Sequence, residues 1–288
     1  MTFDHKNPQP GIYGWVSNYQ YHTSPGVSNS DLKVLNDETP ADLKYKKDHP
    51  ELYEPTDAMM IGQAFHTLVL EPAKFNSRFA VLPREINLRT KDGQQERDRL
   101  VSSGKLLIRE AQLDDVKQMV LSTQNHPMAG PLLSRMGAVY ESSIYWQDRQ
   151  TKLLLKCKPD ILIQNFGFDG NKYNIIVDLK KCGAGKANPK QFPREIYKYL
   201  YHQQAAMYLD GVSTAYGRRF EIFMFITCED SPPYKCAVYM CDREMIDKGH
   251  ELYRRNLSIY NECIKQGIWP GYEDELITVS LPPWGLGD

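Results

Sequence analysis

A short hairpin in the second half of the chain constrains the fold more than any other feature. Two apolar, β-branched runs at residues 161–163 and 175–177 predict short strands. The intervening residues 168–170, Phe-Asp-Gly, suit a three-residue loop whose glycine is left-handed. The sequence therefore predicts an antiparallel pair in which Gly167 is the partner of Asn171.

This hairpin would bring three charged side chains together. In the predicted register Asp160 lies opposite Asp178, and Asp178 and Lys180 share one face because side chains at i and i+2 do so in a strand. A two-residue turn at residues 169–170 would shift the register by one and split the carboxylates across the sheet, unless a bulge restored it. The loop length is therefore a testable part of the prediction.

Two carboxylates and an ammonium group on one face suit phosphodiester hydrolysis. Adjacent Asp oxygens repel each other unless a cation or a proton lies between them, and oxygen ligands suit Mg²⁺, with Mn²⁺ as a substitute. Such an ion polarises a phosphodiester, while Lys180 would orient the attacking water or offset developing negative charge. The alternative is an ion-paired sheet surface, which a D-x-K triplet taken alone favours.

Composition places few limits on function. The 288 residues are 41% hydrophobic and 25% charged, an ordinary soluble globular composition, and no apolar run or N-terminal signal predicts a membrane span or secretion. Six cysteines without a C-x-x-C spacing argue against a zinc ribbon and favour reduced thiols in the cytoplasm. Because the net charge is −1, DNA binding would depend on local basic patches.

The remaining periodicity predicts an α/β chain with a helical N-terminal half. Residues 1–27 are predicted to form an extended arm, and residues 28–288 a single domain. Helices are predicted from Ser28 through Leu35, from Thr39-Pro40, and over residues 56–70, 111–123, 128–136, 195–209 and 243–266, and the polar, mixed-charge residues 83–99 are predicted to be a loop that enters a helix. Further strands are predicted over residues 140–146, 153–155, 221–227 and 236–241.

Two predicted helices carry candidate site residues. On the helix at 195–209, Gln204 and Tyr208 lie one turn apart and could hold a nucleotide or support a metal ligand, or could form a packing face. His66, one turn after Gly62, is either a ligand or a buried core histidine. Tyr197 and Tyr201 are predicted to continue the Gln204 stripe.

Basic residues cluster in two places that could grip phosphates or be ordinary solvated surface. One group lies in a polar loop after residue 83 and the other directly follows the hairpin. Their members are Arg84, Arg89, Lys91 and Arg97, and Lys181, Lys186 and Lys190.

Taken together, these segments resemble the RecB-like branch of the PD-(D/E)xK nuclease superfamily. More closely, the chain looks like the nuclease domain of RecE-type exodeoxyribonucleases (exonuclease VIII) over nearly its whole length. The motifs that occur in the family's order are Gly62-x-x-x-His66, Lys158-Pro159-Asp160, Asp178-Leu179-Lys180 and Gln204-x-x-x-Tyr208; the supporting text is SNSDLKVL, GQAFHTLVLEP, RTKDG, ESSIYWQD, KCKPDILI, VDLKKC, YKYLYHQQAAMYLDG and the closing WPGY and LPPW.

The resemblance implies a PD-(D/E)xK core, a central mixed sheet flanked by helices. It implies a processive, Mg²⁺-dependent exonuclease that degrades one strand of linear double-stranded DNA from its 5′ end and leaves a 3′ overhang for recombination. It also implies three kinds of partner: DNA ends, a single-strand annealing recombinase, and further copies of the chain in a ring. A ring channel would reconcile DNA binding with the near-zero net charge.

The resemblance also assigns roles to individual residues. His66, Asp160, Asp178 and the Leu179 carbonyl would hold the metal, with Glu141 as a candidate for a second ion. Many superfamily members have Glu where Asp178 stands; RecE-type members resemble this chain in using Asp. The implied catalytic set is Asp160, Asp178, Lys180, Gln204 and Tyr208, and the DNA-binding set is Arg84, Arg89, Lys91, Lys181 and Lys186.

Three alternatives remain at this point. Cas4-type and AddB-type relatives carry an iron–sulfur cluster, which the wide spacing of the last four cysteines disfavours. An inactive DNA-end-binding or scaffold module would keep the fold without the chemistry, although the complete Asp160, Asp178 and Lys180 set argues against it. A related endonuclease would share the same trio, and would cut closed circles where an exonuclease does not.

Overall fold

The computed structural model of the protein describes residues 3–52, 55–273 and 275–281. The predicted aromatic closing segment at residues 282–284 lies outside this described part. The helices are α1 Asn18–Thr23, α2 Asn29–Asp37, α3 Pro40–Asp48, α4 Asp57–Leu70, α5 Phe75–Arg78, α6 Lys91–Val101, α7 Glu110–Asn125, α8 Ala129–Leu133, α9 Phe192–Lys198, α10 Tyr201–Tyr216 and α11 Arg243–Gln266. The strands are β1 Gly11–Tyr13, β2 Phe79–Leu82, β3 Leu106–Arg109, β4 Val139–Tyr140, β5 Ser143–Gln147, β6 Leu154–Cys157, β7 Ile161–Phe168, β8 Asn171–Cys182, β9 Ile222–Glu229 and β10 Cys236–Met240.

A mixed five-stranded sheet forms the centre, in the order β10-β9-β8-β7-β4. Strands β8 and β9 are parallel, and the other neighbours are antiparallel. One face packs against α10 and α11, and the other against α4 and α7. The predicted fold class, a central mixed sheet flanked by helices, is confirmed.

Alternation along β8 decides which residues face which helices. Ile175, Val177 and Leu179 belong to the core on the α4 and α7 side, whereas Ile176 belongs to the core on the α10 side. Because side chains alternate along a strand, Asp178 and Lys180 share the α10 side. The odd-numbered residues of β8 face the α4 and α7 side, opposite to Asp178 and Lys180.

The hairpin turn differs from the predicted one. Phe168 is the partner of Asn171, so the turn is the two-residue Asp169-Gly170 rather than a three-residue loop. Both turn residues are left-handed, with φ of 49° and 74°. The Asp-Gly pair favours this turn because its twist matches that of the flanking strands, and it outweighs the longer loop.

A β-bulge then restores the register that brings the carboxylates together. Phe166 is the partner of Tyr173, but Ile163 is the partner of Ile175, so residues 164 and 165 face a single residue on β8. Asn165 has a φ of 54° at this bulge. Beyond the bulge Ile161 is the partner of Val177, so the next step along the ladder places Asp160 beside Asp178.

Local capping chemistry accounts for most of the helix starts. Ser28 and Thr39 cap α2 and α3: each side chain accepts a hydrogen bond from the third helical amide, and the Asp side chain at that third position accepts one from the backbone amide of the cap residue. Pro40 occupies the first position of α3. Thr56 caps α4 by accepting a hydrogen bond from the third helical amide, without a returning side-chain bond. The predicted helix over residues 243–266 is confirmed as α11.

The predicted helix over residues 195–209 is wrong in one respect. It is two helices, α9 and α10, separated at Leu200, whose φ of 54° is left-handed. Because of this break, Tyr197 does not continue the helix face that carries Gln204, and Tyr197 is 77% exposed. Gln204 and Tyr208 remain one turn apart on α10.

The predicted N-terminal arm contains a folded segment. Strand β1 pairs with β5, and residues 18–23 form helix α1 instead of extended chain. Tyr13 and Tyr21 are buried against Tyr145 in a small aromatic core. The domain boundary at residue 27 stays a prediction.

Lys156 of β6 links the C-terminal end of α1 to the sheet by hydrogen bonds. Its side chain is 4% exposed, and its Nζ donates to the carbonyl oxygens of Tyr21 at 2.7 Å and Ser24 at 2.6 Å. Carbonyls at a helix C-terminus lack intrahelical partners and carry partial negative charge, so they suit an ammonium group. Burial nevertheless lowers the pKa of Lys156 to about 8.

We expect this lysine to make stability depend on pH. Between pH 8 and about 10.5 the unfolded chain holds the Lys156 proton that the folded chain has released, so folding stability should rise with pH in that window. Relative to Lys156→Met, the wild-type free energy of unfolding should increase by up to ~3 kcal/mol. Urea unfolding at pH 7, 9 and 10.5 measures the difference. Lys172→Met, at an exposed site of β8, is the control and should keep the wild-type rise. A Lys156→Met profile that rises as steeply as that of the wild type would contradict this assignment.

Candidate active site

A cleft of about 770 Å³ opens where the bulged hairpin meets α4 and α10. Predicted site residues from separate elements of the chain line this cleft. His66 comes from α4, Asp160 precedes β7, Lys180 lies on β8, Glu141 follows β4 and Tyr208 lies on α10. The hairpin and these helices thus converge on one concave surface.

Asp160 is held by the strand beside it. Its Oδ2 accepts a hydrogen bond from the Leu179 amide at 2.6 Å and lies 3.4 Å from His66 Nδ1. Burial raises the pKa of the Asp160 carboxyl, but the charges of His66 and Lys180 outweigh burial and leave that pKa below its ordinary value. Asp160 is therefore ionised at neutral pH.

Asp178, Gln204 and Lys180 form a closed polar triangle. The Gln204 amide nitrogen donates to Asp178 Oδ1 at 2.8 Å, while its amide oxygen accepts from Lys180 Nζ at 2.9 Å. Lys180 Nζ also lies 2.6 Å from Asp178 Oδ2. Both functional groups of Gln204 are engaged, so this side chain fixes the carboxylate and the ammonium group relative to each other.

The Asp178 carboxylate is nevertheless poorly stabilised. The residue is 2% exposed, and its Oδ2 accepts no well-aligned hydrogen bond, so its contact with Lys180 is an ion pair only. Burial and the nearby Asp160 charge raise the pKa of Asp178 to about 6, although Lys180 opposes them. A buried carboxylate oxygen that accepts no hydrogen bond is a favourable ligand for a divalent cation.

Lys180 stays charged despite its burial. Burial lowers its pKa, but the charge of Asp178 and the adjacent Tyr201 raise it above the ordinary value. Its Nζ lies 4.3 Å from the centroid of the Tyr201 ring, a cation–π contact. The ammonium group is thus oriented by three neighbours.

A second set of donors meets Asp160 from the other side. Ligand atoms of His66, Glu141 and Asp160 all lie within 4.8 Å of one another. This donor set of one imidazole and two carboxylates suits a divalent ion such as Mn²⁺ or Mg²⁺. Glu141, a secondary candidate in the sequence, therefore lies with His66 and Asp160, while Asp178 stands outside this group.

His66 responds to the same carboxylates. Burial lowers the pKa of the imidazole, but Asp160 first, and Glu141 and Asp178 after it, raise that pKa to about 9. Glu141 is held in place by its backbone amide, which donates to the Asp160 carbonyl at 3.0 Å, and by an ion pair with Lys158 at 2.9 Å. The strongly negative environment is what attracts both protons and metal ions.

The predicted DNA-binding residues do not reach this cleft. None of the five is among the described residues that line it. Arg89 and Lys91 lie at the start of α6, and the other three are ion-paired at the surface. The pairs are Arg84–Asp114 at 2.5 Å, Lys181–Asp230 at 2.6 Å and Lys186–Glu195 at 3.5 Å.

Sequence reasoning missed two parts of the cleft. Lys158, which donates to Asn18 Oδ1 and pairs with Glu141, lies in the K-P-D motif and could have been recognised from it. The α1 segment, including Asn18 and Tyr19, also lines the cleft. It carries no motif in the sequence, because only the tertiary pairing of β1 with β5 brings it there.

Comparison with family models gives one assignment. The model of a family described as "PDDEXK-like domain of unknown function (DUF3799)" matches residues 28–278. No curated protein matches the sequence. Within the part of the chain that the structure describes, no helix has both the length and the apolar character to cross a membrane.

Solved structures show a similar fold. A crystal structure from Eubacterium rectale, described as a "Putative exonuclease", aligns with a TM-score of 0.59 and 12% identity, covering 91% of this chain and 92% of that chain. A second, described as SSO0001, aligns with a TM-score of 0.31 and 15% identity over 69% of this chain and 86% of that chain, which is too low to indicate a shared fold. The first match supports the sheet and helix arrangement described above.

Proposed function

The chain belongs to the family of PDDEXK-like domains, and on that premise we propose that it is a Mg²⁺-dependent exonuclease acting on linear double-stranded DNA. The observation that carries the proposal is the placement of Asp160, Asp178 and Lys180 on one side of a bulged hairpin, with Lys180 Nζ 2.6 Å from Asp178. Two carboxylates and one oriented ammonium group match the chemistry of phosphodiester hydrolysis.

The proposed metal ligands are Asp160, Asp178, the Leu179 carbonyl and His66, with Glu141 as the ligand of a second ion. The close group of His66, Glu141 and Asp160 supports an ion at those three residues, and Asp178 Oδ2, which accepts no hydrogen bond, supports Asp178 as a further ligand. Mg²⁺, or Mn²⁺ in its place, would polarise the phosphodiester and lower the pKa of a bound water.

The chain's own residues prepare the reaction in three ways. The Leu179 amide holds the Asp160 carboxylate in one orientation, and the charges of His66 and Lys180 keep it ionised, so its charge is available without rearrangement. Gln204 locks Asp178 and Lys180 into one geometry. Lys180 then places a positive charge and hydrogen-bond donors where an attacking water and a developing phosphorane charge need them.

Tyr208 has a supporting part in the proposal. It lies in the cleft one turn beyond Gln204, and burial raises the pKa of its hydroxyl well above the ordinary value. The phenol therefore stays neutral and can donate a hydrogen bond to a phosphate oxygen or to a sugar. Gln204 and Tyr208 together would support the metal site and the DNA.

Polarity and products belong to the same proposal. We expect hydrolysis of one strand from its 5′ end, leaving a 3′ overhang for recombination by a single-strand annealing recombinase in the cytoplasm. A ring-shaped homo-oligomer around DNA would supply processivity, with the basic residues Arg84, Arg89, Lys91, Lys181 and Lys186 contacting the duplex. Sedimentation equilibrium that finds only monomers would remove the ring from this proposal.

Labelled ends test the polarity. A linear duplex carrying a fluorophore at one 5′ end should release labelled short products at once in Mg²⁺, whereas a duplex labelled at a 3′ end should retain its label until late. The 3′-labelled strand should shorten only from its unlabelled 5′ end, while its labelled 3′ end should become sensitive to a single-strand-specific nuclease. Early loss of the 3′ label would reverse the proposed direction.

A further inference from the structure

The N-terminal helix α1 forms one wall of the candidate active-site cleft. Ser17, Asn18, Tyr19, Tyr21 and His22 line it, opposite residues of α4 and beside Lys158 and Lys180. This segment precedes residues 28–278, the range that the family model matches. The wall is thus a part of the site that the family assignment does not describe.

Several contacts fix this wall to the sheet. Lys156 holds the carbonyls at the end of α1, and Ser24 Oγ lies 2.7 Å from the buried Tyr145 hydroxyl. At the cleft itself, Asn18 accepts a hydrogen bond from Lys158, which is also the ion-pair partner of Glu141. The position of α1 is therefore coupled to the residues that are proposed to bind metal.

Tyr19 differs from the other tyrosines of this segment because it is exposed to solvent. Tyr13 and Tyr21 are buried in the aromatic core, but the Tyr19 side chain is 73% exposed at the cleft. Its one ring neighbour among the described residues is His5, at a centroid distance of 6.3 Å, and its hydroxyl has no hydrogen-bond partner among them. An exposed ring on a fixed helix, with no packing role, is available to a ligand.

We propose that Tyr19 is a substrate-positioning residue that stacks on an unpaired base next to the phosphodiester held in the cleft. Aromatic rings on a fixed support bind successive bases without regard to sequence, because every base has a π-face. Lys158 and Lys180 lie in the same cleft, but each is ion-paired, with Glu141 and Asp178 respectively, so the Tyr19 ring is the group proposed to carry the binding. The ligand class is a single-stranded or frayed DNA terminus.

This inference rests on the proposed nuclease function for its substrate, but its test does not require turnover. Binding of a fluorescent single-stranded oligonucleotide is measured by anisotropy in EDTA for the full chain. Tyr19→Ala should weaken binding by about 5-fold to 150-fold, the range for loss of one base–aromatic stack. Tyr19→Trp should restore it.

Tyr197→Ala is the matched control, since Tyr197 is equally exposed but lies on α9 outside the cleft. It should bind as the wild type does. An oligonucleotide with an abasic terminal position completes a thermodynamic cycle. The wild type should bind it more weakly than the intact oligonucleotide, and Tyr19→Ala should lower the affinity for the abasic oligonucleotide little further.

Equal weakening by Tyr19→Ala and Tyr197→Ala, or equal loss with intact and abasic DNA, would overturn the stacking role. Wild-type protein that binds no single strand would also overturn it. If the cycle behaves as expected but the wild type hydrolyses no DNA in Mg²⁺, the stacking site stands and the nuclease proposal fails.

Discussion

Replacing Lys180 by alanine is expected to lower kcat for DNA hydrolysis by at least ~100-fold, the scale of removing one charge-stabilising donor from a reacting centre. Lys180 contacts Asp178, Gln204 and the Tyr201 ring, so its ammonium group is oriented before substrate arrives. The loss should appear in kcat more than in KM, because the charge that it stabilises develops in the transition state.

The neighbouring lysine provides the control. Lys181 lies on the opposite face of β8 and pairs with Asp230 away from the cleft. Lys181→Ala should retain most of the wild-type kcat, with any effect appearing in the salt dependence of DNA binding. Equal loss in the two variants would indicate general damage to β8, and wild-type kcat in Lys180→Ala would contradict the assigned role.

The same substitution should leave a protein that folds but is less stable. Without the Lys180 charge, the buried Asp178 carboxyl loses its main opposing partner, so its pKa should rise above the present value of about 6. The group would then be protonated at neutral pH instead of remaining an unpaired buried charge. A thermal melt separates this loss of stability from the loss of kcat.

Replacing Asp160 by asparagine is expected to abolish metal binding and hydrolysis together. Asp160 is the carboxylate that meets His66 and Glu141 and also lies beside Asp178, so it belongs to every candidate ligand set. The asparagine oxygen can still accept the Leu179 amide, so the fold should persist. Titration calorimetry with Mn²⁺ should show affinity lower by at least ~100-fold.

One further readout and a matched control sharpen this prediction. The charge of Asp160 is the largest cause that raises the pKa of His66, so Asp160→Asn should lower that pKa from about 9 in an NMR titration. Asp169→Asn, in the hairpin turn, is the matched control because asparagine also tolerates the φ of 49° there. Unchanged Mn²⁺ affinity in Asp160→Asn would remove Asp160 from the ligand set.

Features that depend on nearby residues could be predicted from the sequence. The cap residues Ser28, Thr39 and Thr56 mark helix starts because their side chains satisfy amides three positions ahead. The apolar runs around Asp160 and Asp178 mark strands by composition alone. These local rules were sufficient to place the carboxylates on neighbouring strands.

Features that depend on competing local choices were predicted only as alternatives or not at all. The bulge at residues 164–165 was predicted only as a condition of the two-residue turn, because an asparagine such as Asn165 accepts a left-handed φ but does not require one. The break at Leu200 carries neither glycine nor proline, so helical periodicity runs through it in the sequence. In both places the tertiary register overrides the local pattern.

Features that depend on distant pairing had no sequence signal. The α1 wall reaches the cleft because β1 pairs with β5 and Lys156 holds the end of α1, contacts more than 100 residues apart. The parallel pair of β2 and β3 was also missed, since strands of four residues each lie between predicted helices. Tyr19 therefore became a candidate only when the structure placed it in the same cleft as Lys158.

The most direct test of the central claim compares linear and covalently closed DNA of the same sequence, each incubated with the full chain in Mg²⁺. The linear duplex should be degraded from its ends, the closed circle should persist, and Asp160→Asn should leave both intact. Cleavage of the closed circle would make the protein an endonuclease. Persistence of the linear duplex with the wild-type chain would contradict the account altogether.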